Sequence, residues 1–96
     1  MQSKDDYIQF LHQKIDDWNE DIERLRLKAD KIEAETRADL QSEINMLKSK
    51  RADIEKRITE LTDASAVAWE DMKSGLDLAW EATNNAFQSA ASRFLK

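Results

Sequence analysis

The chain has 96 residues, 36% charged and 41% apolar, with a formal net charge of −5, one Gly, no Pro and no Cys. So few turn-makers disfavour hairpins and short strands, whereas abundant Ala, Glu, Lys, Leu and Arg suit long helices. The acidic balance excludes a non-specific nucleic-acid binder, which needs excess Lys and Arg to displace counterions; no apolar run is long enough to cross a bilayer.

The opening MQSKDDYIQF places acids where a secretion signal would place basic residues and then an apolar run. Together with the missing Cys, this leads us to expect a cytoplasmic protein. A helix start is written at Ser3, whose hydroxyl can accept from a first-turn amide, with Asp5 and Asp6 suiting the positive helix end. From there Ile8, Leu11, Ile15, Trp18, Ile22, Leu25, Ala29 and Ile32 follow 3–4 spacing, the mark of a helix that packs against helices.

Between Ile32 and Ile44 the spacing changes to fours, through Thr36 and Leu40, as in a stutter that locally unwinds a supercoil. Ile44, Leu47, Arg51, Ile54, Ile58 and Leu61 then resume the seam. The linking stretch IEAETRADLQSE has neither Gly nor Pro, so the expectation is one continuous coiled-coil helix over residues 1–63, with a helical hairpin as the alternative. Off the seam, Glu20 with Arg24, Glu33 with Arg37 and Asp53 with Arg57 are four apart in the favourable order, each pair contributing about 0.2–0.5 kcal/mol.

The stretch LTDAS, residues 61–65, is the best internal boundary, because Thr62, Asp63 and Ser65 all favour the position before a helix; with no Gly before them, a kink or a short break fits as well as a hairpin. Beyond it, residues 64–96 change character, being rich in Ala and aromatics. At about 100° per residue, Ala68, Trp69, Met72, Leu76, Ala79, Trp80, Thr83, Phe87, Ala90 and Phe94 share one face. Glu70, Ser74, Asp77, Glu81, Asn85, Gln88 and Ser92 take the other. Trp69 to Trp80, Leu76 to Phe87 and Thr83 to Phe94 repeat at eleven residues, which keeps a straight helix face aligned. Trp69, Met72, Leu76, Trp80, Phe87 and Phe94 are therefore the expected docking face.

No residue pattern carries chemistry. His12, the only histidine, flanks the seam and has no Glu three positions before it, as a helical di-metal site would. Glu33, Glu35, Asp39 and Glu43 form an acidic run without His or Cys. General acid–base work needs carboxylates in a dry pocket, which slender helices do not offer. No enzyme activity, cofactor or metal is expected. Arg51 on the seam either sets register or extends its charge to water along a long stem, the second being favoured. Gly75 is either a close-approach point for another helix or a tolerated defect. The off-seam Phe10, Leu27 and Met46, with bulky Trp18, point to more than two helices meeting.

YIQFLHQKIDDWNEDIERLRLKADK followed by ASAVAWEDMKSGLDLAWEATNNAFQSAASRF resembles small bacterial coiled-coil proteins grouped as a stress-response family. Tyr7, Ile8, Leu11, Trp18, Ala68 to Asp71, Gly75, Ala79, Trp80 and Ala90 to Phe94 carry the resemblance. Relatives often have Gly and an acid where this chain has Ala66 and Val67, which would stiffen a joint there. The resemblance implies induction under stress and no defined biochemical activity.

The expected protein is all-α and non-enzymatic. It self-assembles through Ile8, Leu11, Ile15, Trp18, Ile22, Leu25, Ile32, Leu40, Ile44, Leu47, Ile54, Ile58 and Leu61 into a coiled-coil or bundle homo-oligomer. Another helical protein is a further candidate partner. A lipid or granule surface is less favoured, because the polar side of the last helix lacks rows of Lys and Arg. An anti-aggregation holdase would use the same aromatic face.

Overall fold

A computed structural model describes residues 3–95. Within them the chain forms α1 (Lys4–Ala29), α2 (Ala34–Thr62) and α3 (Ala66–Phe94), and no strand. Each begins where local chemistry permits. The Ser3 hydroxyl accepts from the Asp6 amide at 3.1 Å, with Asp5 and Asp6 in the first turn. The Ser65 hydroxyl does the same for the Ala68 amide at 3.2 Å, so the LTDAS boundary is a helix start as read.

The first 63 residues are not one helix. α1 ends at Ala29, residues 30–33 turn, and α2 starts after Glu33 without a side-chain cap. The turn needs no glycine: among the described residues none has positive φ. Arg37 takes over the usual role of a capping residue. Its Nε donates to the Ala29 carbonyl at 2.9 Å and its Nη2 to the Ile32 carbonyl at 2.8 Å. Arg37 thus satisfies carbonyls left free at a helix end instead of pairing with Glu33. The spacing in fours from Ile32 to Ile44 is the footprint of this turn. Thr36 is exposed and is no seam residue, while Ile32 is half-buried.

A matching contact closes the other end. The last turn of α2 carries no basic residue, and Lys4 of α1 supplies one. Its Nζ donates to the Thr62 carbonyl at 3.1 Å and the Ala64 carbonyl at 2.8 Å. Short turns at 30–33 and 63–65 make sequential helices antiparallel neighbours, so α1 and α3 run parallel. The bundle measures 51 × 18 × 17 Å.

Its core is one cluster fed by all three helices: Tyr7, Leu11, Ile15, Trp18, Ile22, Leu25 and Ala29 from α1, Leu40, Ile44, Leu47, Ile54, Ile58 and Leu61 from α2, and Leu76, Phe87, Ala90 and Phe94 from α3. The heptad seams of α1 and α2 and the aromatic face of α3 therefore close on one another inside a single chain. Of the off-seam residues, Phe10 packs against this cluster, whereas Leu27 and Met46 are exposed.

Candidate functional site

Leu11, Ile15, Trp18, Ile22, Leu25, Leu40, Ile44, Leu47, Ile54, Ile58 and Leu61 are buried, and Ile8 and Ile32 are half-buried against them. On α3, Leu76, Phe87 and Phe94 are buried, while Trp69, Met72 and Trp80 sit half-buried at the edge of the core. Every residue assigned to the two surfaces thus lies in or against one interior. A docking face for α3 exists, and the surface it docks on is the α1–α2 pair of the same chain.

The α1–α3 boundary holds the polar chemistry of the molecule. Trp18 is 1% exposed and stacks on Phe87, with ring centroids 5.3 Å apart and planes 9° from parallel. Its indole N–H donates to Asn84 Oδ1 at 3.2 Å, which lets a large amphipathic ring be buried with its donor satisfied. Thr83, buried in α3, donates to the Ala79 carbonyl at 2.9 Å. Neither partner of these bonds needs anything from outside the chain.

Asp77 collects three donors. The Tyr7 hydroxyl donates to Oδ1, Lys73 Nζ donates to Oδ2 at 2.9 Å, and the Trp80 indole N–H lies 3.4 Å from Oδ1. Burial alone would raise the Asp77 carboxyl, but hydrogen bonds from Tyr7, Lys73 and Trp80 and the Lys73 charge hold it below the usual carboxylate range. Tyr7 moves the other way: burial, then the hydrogen bond to Asp77, then the Asp77 charge keep its phenol protonated well above its ordinary value. Around this group the rings form a chain. Tyr7 lies 6.1 Å from Trp69 and 6.3 Å from Phe10, and Phe10 meets Trp80 edge-on at 5.0 Å. Lys73 sits 4.9 Å over Tyr7, and Lys14 sits 5.6 Å from both Phe10 and Trp80. This cluster latches α3 onto α1. The helical wheel put Asp77 on the outer side, and only the arrangement of α1 against α3 reveals its role.

Arg51 is partly buried between helices: its Nη1 donates to Asn19 Oδ1 on α1 at 2.7 Å, and its Nε, buried without a hydrogen bond, lies 3.6 Å from Glu55 Oε1. The Asp53–Arg57 pair forms at 2.9 Å and Glu20–Arg24 at 4.0 Å, both exposed, so each contributes under about 1 kcal/mol. His12 is exposed. Among the described residues no three His, Cys, Asp or Glu side chains gather into a group that could hold a metal ion, and no helix is long and apolar enough to cross a membrane. The surface carries shallow depressions, one of them between α2 and α3 and lined by Arg57, Glu60, Asp71, Met72, Gly75 and Leu76. The shifted groups Tyr7 and Asp77 face each other and line none of these depressions.

The class defined by this arrangement is an all-α, three-helix bundle closed around one core. No protein-family model, curated protein or solved structure matches the chain.

Proposed function

We propose that this chain works without catalysis, as a structural or interaction protein that presents a folded helical surface to other proteins, itself included. The resemblance adds a protective role under stress. The observation that carries the reading is how the reactive and sticky groups are used. The aromatic and aliphatic faces close on each other within one chain, and Tyr7 and Asp77, bonded to each other, form a latch between α1 and α3. What remains outside is a largely charged surface interrupted by the exposed apolar side chains Leu27, Met46, Val67 and Leu78, a surface for contact.

The lipid-surface reading needs α3 to leave the bundle, exposing Trp69, Trp80, Phe87 and Phe94 to a bilayer. Flotation of the intact chain with anionic vesicles at physiological salt separates the two readings. The interaction reading expects no flotation and an unchanged circular-dichroism spectrum. Flotation with a change in tryptophan fluorescence would replace it with the lipid reading. A parallel measurement follows light scattering of a heat-denatured reporter enzyme with the bundle present. Suppression at near-equimolar ratio is the result expected of a holdase; unchanged scattering removes the holdase variant and leaves the structural one.

A further inference from the structure

α1 and α2 carry charge on most of their outward turns, and the outer side of α3 differs. Val67 and Leu78, at 75% and 70% exposure, are the most exposed large apolar side chains among the described residues. They are eleven positions apart, so they share one stripe of α3, opposite the face that buries Leu76 and Phe87. Gly75 lies on the same stripe. A mid-helix glycine is destabilising relative to alanine, yet a Cβ built there meets nothing within 4 Å. No neighbour within the chain calls for a glycine there. Asp71, Gly75, Leu78 and Ala82 are spaced 4, 3 and 4, the period at which one helix packs on another.

We propose that this outer stripe is the contact surface for a second copy of the chain, docked antiparallel, α3 against α3, about a two-fold axis. Such a contact sets residue i against j and j against i. With the axis between Leu78 and Ala82, each Leu78 sits over Ala82 of the second copy, large against small, and Gly75 lets the backbones approach. Charge decides the direction. The stripe is acidic at Asp71 and basic at Arg93, so an antiparallel pair brings each Asp71 to about one helical turn, about 6 Å along the axis, from Arg93 of the second copy, within reach of the long guanidinium side chain. A parallel pair would set like on like. Within one chain Arg93 is exposed, 3.8 Å from Asp39 and 4.7 Å over the Phe94 ring, two solvent-exposed contacts that a second copy's Asp71 can replace. Glu81 flanks the axis in both copies, and that like-charge contact keeps the dimer reversible and salt-sensitive. The inference rests on the interaction reading and names one partner for it.

Sedimentation equilibrium of the full chain, from low micromolar to near millimolar concentration, tests it. The expected result is a reversible monomer–dimer equilibrium. Leu78→Glu should raise the dissociation constant roughly tenfold or more, with the thermal midpoint of the monomer unchanged. Gly75→Ala should act with opposite signs, raising that midpoint while weakening the dimer. Arg93→Asp should weaken association, and adding Asp71→Arg to it should restore association. A chain that stays monomeric throughout, a dimer indifferent to Leu78→Glu, or a charge swap that restores nothing overturns the proposal. None of these touches the reading as a contact surface for other proteins, which stands or falls on the vesicle measurement.

Discussion

Tyr7 is the chain's one tyrosine, so its titration can be followed without ambiguity. Its phenol is raised above the ordinary value of 10.0 by burial and by Asp77. A raised folded-state value means a stabilising contribution fully present below the unfolded value and lost as pH rises through the folded one. Tyrosinate absorbance should therefore stay absent through the usual range and appear only as the helical signal collapses. Tyrosinate forming in the folded protein near the ordinary value would show that the phenol is not held by the latch. Asp77 has the opposite sign: its folded value lies below 3.8, so its contribution is present above that and lost as pH falls through the folded value. Tyr7→Phe should cost about 1–2 kcal/mol at neutral pH, since it removes one donor from a charged acceptor. In strong acid, where Asp77 is protonated, urea unfolding should show that difference shrinking.

At the scale of the helix, stability comes from neighbours. α3 has one side-chain cap, and in proteins most helical stability comes from packing an apolar face rather than from propensity. A peptide of residues 64–96 should be largely unstructured alone and gain helix when mixed with a 1–63 fragment. Circular dichroism of the two separately and together decides this; a peptide that stays unstructured in the mixture would mean that the α3 contacts do not suffice to order it. The α1–α2 turn depends on Arg37 in the same way. Arg37→Ala frees the Ala29 and Ile32 carbonyls to water and should cost about 1 kcal/mol, given the exposure of the guanidinium. Amide exchange should speed up in the last turn of α1 and the first of α2, while the far end near Lys4 keeps its protection.

For the whole molecule, the issue is whether the seam holds helices of one chain or of several. Leu47 is buried with its neighbours Ile44 and Ile54 in the common core. Leu47→Ala should therefore cost about 2–5 kcal/mol of folding free energy, shifting the urea midpoint without changing the mass of the protein that remains folded. A seam between chains would give the reverse: a change of mass with the subunits still helical.

The helical class, the seam residues and the aromatic face of α3 follow from residue spacing, because a 3–4 or eleven-residue apolar repeat has one geometric meaning whatever it packs against. Ser3 and Ser65 were legible as helix starts for the same local reason: a hydroxyl three residues before an amide reads in any context. The turn at 30–33 was not legible, because its cap is an arginine arriving from the next helix and leaves no Gly or Pro behind. Nor was the latch, since Tyr7 and Asp77 are seventy positions apart and a helical wheel sees one helix at a time. The repeat also cannot say whose helix fills a seam. An apolar stripe gains the same free energy from its own chain as from another, and the two short turns that fold α1, α2 and α3 together decide it here.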